Sequence, residues 1–192
     1  PTMDKQLEAW VRQEDRLAVF RALYPRVDDA ALQKILSFGK DRHELGKRCH
    51  FAREFGVECS VMRLLFDYDR YHELDLLLGA LSPAGLRVLD YGSGAGDYGV
   101  VFAKLGATVT FYDFPDMLVC PQMRCRRLGL GAEFVAVPGD VGTDFDLIIF
   151  SEVLEHLEDP LAVLRKFEKV KYIFSTAYPY VAETSSYFST NG

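Results

Sequence analysis

Val88-Leu89-Asp90-Tyr91-Gly92-Ser93-Gly94-Ala95-Gly96-Asp97 is the stretch that decides the fold of this chain. An apolar run ends on an acid, glycines alternate with small residues, and a helical pattern over 97–105 starts at once. A glycine turn from strand to helix is where an open α/β sheet receives its ligand. Outward from this loop, short apolar runs recur at Arg87–Leu89, Thr108–Tyr112, Glu133–Val137, Phe145–Phe150 and Tyr172–Ser175. Helical patterns near 97–105, 116–128 and 160–169 separate them. Strands that are apolar throughout, rather than alternating, predict a parallel sheet buried on both faces. Right-handed crossovers then place helices on both sides, so the expected class is α/β with a doubly wound parallel sheet of five placed strands.

The residues around the loop narrow what it could hold. Gly94-Ala95-Gly96-Asp97-Tyr98-Gly99 matches the dinucleotide fingerprint by letter. A pyrophosphate on the helix N-terminus, however, would be repelled by Asp90 at the strand end and Asp97 in the first helical turn. A ligand with a positive centre would favour Asp90, and S-adenosylmethionine carries both an ammonium and a sulfonium. Thr108–Asp113 is a second strand ending on an acid about 20 residues after the glycines, the position that accepts from ribose hydroxyls in this architecture. In Gly139-Asp140-Val141, Asp140 could accept from an adenine amino group with Val141 beside the base, or serve only as a turn residue. Phe145–Pro160 (FDLIIFSEVLEHLEDP) reads as a fourth strand, a polar segment at its carboxyl end, and a helix begun by proline.

Composition limits the alternatives. The chain has 192 residues, with 49% hydrophobic and 26% charged, which is globular rather than disordered. Its formal charge of −6, concentrated after residue 86, disfavours a surface that grips phosphate backbones. No apolar run approaches the ~20 residues of a membrane span, and PTMDKQLEAW is no signal peptide. Cys49, Cys59, Cys120 and Cys125 form neither a C-x-x-C pair nor a regular framework, so reduced thiols in a cytoplasmic protein are expected. Residues 1–82 read as helices: one with Thr2 as N-cap, stopped at Pro25, and others around Leu32–Leu36, Leu45–Ala52 and Tyr71–Leu81. They are expected to form a cap over a core running from 83 to 192.

Taken in order, VLDYGSGAGDYG, VTFYDFPD, GDV and FDLIIFSEVLEHLEDP resemble the motifs of class I S-adenosylmethionine-dependent methyltransferases. The last motif is most similar to the branch holding ubiquinone-pathway O-methyltransferases and other small-molecule methyltransferases. The resemblance covers about residues 85–177 and implies a Rossmann-like core. It implies that Asp90 and the backbone of Gly92, Ser93, Gly94 and Gly96 surround the methionine part of S-adenosylmethionine, the product being S-adenosylhomocysteine. Asp113 would take the ribose hydroxyls, Phe114 would lie beside the adenosine, Asp140 and Val141 would hold adenine, and Ser151 would sit near the transferable methyl.

The implied reaction is methyl transfer to a small-molecule acceptor, on oxygen before nitrogen or carbon, with His156 as the candidate general base. The alternative is a non-catalytic cofactor-binding scaffold that uses the cap to bind a protein. Glu152-x-x-Glu155-His156 resembles the metal segment of small-RNA terminal 2′-O-methyltransferases and of some ubiquinone-pathway enzymes, but no second histidine follows His156, so no metal is predicted. Arg124, Arg126 and Arg127 read as a solvated face, and neither a nucleic-acid nor a membrane partner is expected. Trp10, Phe20, Phe51, Phe55 and Phe66 are expected to shape the acceptor pocket, with Tyr68, Tyr71 and His72 near the cofactor. The family core continues past its fifth strand with a helix and an antiparallel hairpin, for which Thr176–Gly192 is too short. An incomplete core is therefore expected.

Overall fold

The computed structural model describes residues 16–38, 42–57, 61–65 and 70–176. The N-cap expected at Thr2, the aromatics Trp10, Phe66 and Tyr68, and the segment after Thr176 lie outside the described residues, as do the side chains of Tyr71 and His72. Among the described residues, four helices precede the sheet: α1 (Arg16–Leu23), α2 (Asp29–Ser37), α3 (Arg42–Arg53) and α4 (Arg70–Ala80), with a 3-10 turn at Val61–Leu65. The sheet strands are β1 (Arg87–Tyr91), β2 (Thr108–Asp113), β3 (Glu133–Ala136), β4 (Leu147–Ser151) and β5 (Tyr172–Thr176). Between them run α5 (Asp97–Lys104), α6 (Pro115–Leu128) and α7 (Pro160–Lys166), with a 3-10 turn at Leu154–His156.

All five strands are parallel, in the order β3-β2-β1-β4-β5. The chain leaves β1 toward one edge through β2 and β3, then returns to the other side of β1 with β4. Strand order therefore reverses between β1 and β4, and their carboxyl ends open a crevice there. β4 is buried at every position and β1 at its three central ones, because helices cover both faces. The edge strands β3 and β5 are more exposed, since among the described residues each has a neighbouring strand on one side only.

Alternation along β1 divides the core. Val88 joins Val100, Val101, Phe102, Val109 and Phe111 on the α5 and α6 side, while Leu89 joins Ile148, Phe150 and Phe167 on the other. Each such side chain removed from water contributes about 1.5–3 kcal/mol. Local signals set the helix ends. Asp28 and Asp159 cap α2 and α7 by accepting from the Ala31 and Ala162 amides. Gly129, left-handed at φ 66°, ends α6.

All five strand ends and the start of β4 differ from the sequence reading by one or two residues, and two of these differences have a visible cause. β4 starts at Leu147 rather than Phe145, because the Asp146 carboxylate accepts from the backbone and guanidinium of Arg87 and clamps the base of the sheet. β3 ends at Ala136, and the next amide, Val137, donates to the Asp113 carbonyl.

The helical layer has a core of its own. Val19, Phe20, Leu32, Ile35, Ala52 and Val57 are buried together, and the cluster extends to Ala95 of the glycine loop and Cys120 of α6. Phe20, expected to line an acceptor pocket, is instead fully buried in this core, and Phe51 and Phe55 pack against it. The layer therefore rests directly on the glycine loop.

Candidate functional site

Every turn of the glycine loop is fastened. Gly92, at φ 67°, donates its N–H to the Tyr112 carbonyl at 2.7 Å, and the Ser93 N–H reaches the same oxygen at 3.3 Å. The Gly94 N–H donates to Asp113 Oδ2 at 2.7 Å, and the Gly96 N–H donates to the Ser93 carbonyl at 2.7 Å. Gly96 has φ 75°, and a Cβ there would lie 2.8 Å from Pro121 of α6, so both its conformation and its surroundings require glycine.

Asp90 is 3% exposed, and its Oδ2 accepts the Gly99 N–H at 2.9 Å. The strand-end acid thus fixes the first turn of α5 from beneath. The loop is adjacent to Asp90 in sequence, while this hydrogen bond goes to the helix start.

Asp113 stands half-buried at the end of β2. Besides Gly94, its carboxylate accepts the Phe114 N–H at 2.7 Å. Burial pushes its pKa above the ordinary 3.8, and the two amide bonds pull the other way. A carboxylate has about four lone-pair sites, so two amides leave capacity for hydroxyl donors such as a ribose. Phe114, next along, is 63% exposed and presents an apolar ring at the rim. Ser93 Oγ is buried without a hydrogen-bond partner. An orphaned hydroxyl inside a bonded glycine loop fits a polar ligand that completes it.

Asp140 holds a turn in this structure. Its Oδ1 accepts from the Gly142 amide and from Lys166 Nζ, both at 2.9 Å, at an exposed turn. Those bonds, the lysine first, hold its pKa below the ordinary carboxylate range. Val141 is half-buried against the Leu89–Phe150 cluster.

At the end of β4, Ser151 Oγ lies 3.2 Å from Thr176 Oγ1 of β5. Glu152 then takes φ 57°, an uncommon conformation for a non-glycine residue, and turns the chain across the crevice. Val153 follows and packs on the loop, 2.5 Å from where a Gly92 Cβ would sit. The Leu154–His156 turn leaves His156 exposed, and Glu155 Oε2 is buried without a hydrogen-bond partner. Among the described residues, no three His, Cys, Asp or Glu side chains gather as metal ligands.

One sequence reading is overturned here. Arg124 is not on a solvated face: it is 1% exposed, and its Nη1 donates to the Ala95 carbonyl at 2.5 Å and to Asp97 Oδ1 at 2.9 Å. Periodicity carried the signal. Arg124 stands three and four residues after Pro121 and Cys120, both buried, so it lies on the inner stripe of α6. Arg126, off that stripe, and Arg127, in the last turn of the helix, are exposed.

Residues 66–171 match the family described as Methyltransferase domain. The chain belongs to that family. The matched segment contains the whole glycine loop, Asp113, Asp140, Val141 and the Ser151–His156 segment. A ubiquinone biosynthesis O-methyltransferase of Ruegeria pomeroyi is 35% identical over 131 residues, 65% of this chain and 50% of the relative. Another, from Xanthomonas axonopodis pv. citri, is 34% identical over 98 residues, 48% of this chain and 41% of the relative. The chain thus spans half or less of the length of these curated relatives. TehB from Haemophilus influenzae overlaps 61% of this chain and 41% of its own at 14% identity and a TM-score of 0.47. Among the described residues of this methyltransferase domain, no helix is long and apolar enough to cross a membrane.

Proposed function

We propose that this chain binds S-adenosylmethionine at the β1–β4 crevice and transfers its methyl group to a small-molecule acceptor, on oxygen. The observation that carries the reading is the Asp113 carboxylate. It holds the Gly94 amide at 2.7 Å and keeps acceptor capacity at the end of β2, in a chain of the methyltransferase domain family. The ubiquinone-biosynthesis relatives are named as O-methyltransferases, which supports oxygen as the acceptor atom.

The bound cofactor would supply an activated methyl on a sulfonium, leaving the protein to hold the reactants in line and to manage one proton. Asp113 accepts from the ribose hydroxyls, and the Ser93 hydroxyl and the loop backbone contact the methionine part. Phe114 and Val141 flank the base, and Asp140 adds whatever acceptor capacity Gly142 and Lys166 leave it. Asp90 acts from beneath by fixing the start of α5, and its buried charge favours a cationic ligand above it. Ser151 borders the reacting end, and His156 takes the acceptor hydroxyl's proton. The net charge of −6 disfavours a nucleic-acid acceptor, and the cysteine pattern fits a cytoplasmic setting.

Calorimetry with S-adenosylhomocysteine and, separately, NAD tests the cofactor. Binding of the first alone is expected, weakened by Asp113→Ala and unchanged by the remote exposed variant Arg127→Ala. Equal weakening by both variants, or no binding, would overturn the assignment. Labelled S-adenosylmethionine with a metabolite extract then tests turnover, and labelled small products are the expected result.

A further inference from the structure

We propose that Arg124 is a positioning residue for the cofactor, setting the shape of the glycine loop from below, with Arg16 of the helical cap sharing Asp97 with it. The inference rests on the reading of this crevice as the S-adenosylmethionine site.

The loop between Gly92 and Asp97 has anchors of two kinds. Its amides are held from β2, by the Tyr112 carbonyl and the Asp113 carboxylate. Its Ala95 carbonyl is held from α6, by Arg124 Nη1, with the Cys120 thiol also directed at that oxygen at 3.8 Å. The carbonyl and the amides of one short segment are thereby pulled toward different elements. That fixes the rotation of the peptide units, and so which backbone groups face the crevice.

A buried guanidinium is costly unless its charge is matched, and Asp97 matches it at 2.9 Å. The same Asp97 oxygen lies 3.6 Å from Arg16 Nη1 on α1. Ala95 itself packs in the hydrophobic cluster of the cap. The cap therefore touches the loop at the two residues that Arg124 touches, so docking of the cap and the geometry of the loop depend on each other. A lysine at 124 would keep the charge, but it would replace a planar fork with a point donor.

Two measurements on the full chain test this, one without any ligand. Amide hydrogen exchange over Gly92–Gly99 reports whether the loop is held, and calorimetry with S-adenosylhomocysteine reports whether that matters for binding. Arg124→Met is expected to speed loop exchange and weaken binding by about tenfold, the loss of one charge-assisted contact. Arg124→Lys should fall between it and wild type, and Arg16→Met should show a smaller change in the same direction. The exposed control Arg126→Met should change neither. Loop exchange in Arg124→Met that equals the Arg126→Met control would overturn the proposal, as would faster exchange with unchanged affinity. If Arg124→Met does not fold, Arg124→Lys and Asp97→Asn decide, and wild-type loop exchange in both overturns the role. Absence of binding by wild type would overturn the cofactor reading itself, whereas the exchange arm would still show whether Arg124 holds the loop.

Discussion

The two sides of the crevice are built differently. On the β1–β2 side, the Gly92, Ser93, Gly94, Gly96 and Gly99 amides are bonded to fixed acceptors, and the acids and the arginine that fasten this side lie buried or half-buried. On the β4 side, Glu152–His156 forms a sharp bend and one 3-10 turn, with His156 exposed and one Glu155 oxygen unsatisfied. A ligand shared by all members of a family can be met by a rigid, preorganised cradle, because its shape never changes. An acceptor that must enter and leave at each turnover is better met by an exposed segment. The comparison therefore predicts that changes on the first side act through folding and cofactor affinity, and changes on the second act through turnover.

The largest effect is expected at Gly99. A Cβ there would strike the Phe111 ring and lie 2.8 Å from Asp90 Oδ2, and its N–H is the one Asp90 holds. Gly99→Val should cost about 3 kcal/mol of stability by overpacking, measured by urea unfolding. A loss under about 1 kcal/mol would show that this side yields to an added side chain. His156→Ala comes next and tests the other side. It should lower kcat about a hundredfold while leaving S-adenosylhomocysteine affinity within error. Loss of affinity instead would place His156 in the cofactor cradle and break the contrast.

Asp113 gives the third effect and a pH signature. Asp113→Ala should weaken S-adenosylhomocysteine about tenfold, because hydroxyl donors lose a charged acceptor. Since burial raises its pKa, the native state holds that proton more tightly than the unfolded chain does. The stability contributed by this carboxyl is thus full below 3.8 and falls as pH rises through its raised value. Ligand affinity runs the opposite way: it is highest with the carboxylate ionised and drops on acidification, starting above the ordinary range. Calorimetry across pH checks this, and a profile unchanged in Asp113→Asn would refute the assignment.

How much of this could be read from sequence follows from the range of the forces involved. The five strands and the loop were legible because burial on both faces leaves continuous apolar runs, and because a left-handed turn leaves glycines. The position of Asp113 at a strand end was legible, but its bond to the Gly94 amide was not. Arg124 was not, because an arginine on a helix with two arginine neighbours is ordinarily solvated. Its spacing from Cys120 and Pro121 points inward, but exposed Arg127 sits one turn further along the same stripe, and the partners of Arg124 lie 27 and 29 residues away. Phe20 was misread for a related reason. An aromatic in a cap pattern faces either a pocket or the cap's own core, and the choice is made by α2, α3 and the Val61–Leu65 turn packing around it.

Asp140 carries the smallest expected effect and decides how far the rigid side extends. The sequence allowed it to be an adenine acceptor or a turn residue, and the structure gives Oδ1 to Gly142 and Lys166 at an exposed position. Its pKa is lowered chiefly by Lys166, so its contribution to stability is present above 3.8 and fades as pH falls through the lowered value. An exposed pair of this kind is heavily screened by water and salt. Asp140→Ala should therefore change S-adenosylhomocysteine affinity by less than about twofold, and Lys166→Met should match it, in the titration used for Asp113. If Asp140→Ala instead weakened binding as much as Asp113→Ala, while Lys166→Met did not, the carboxylate would be acting on the ligand rather than on its turn. The preorganised side would then run from the glycine loop through the end of β3, and the contrast would lie between β4 and the rest of the crevice.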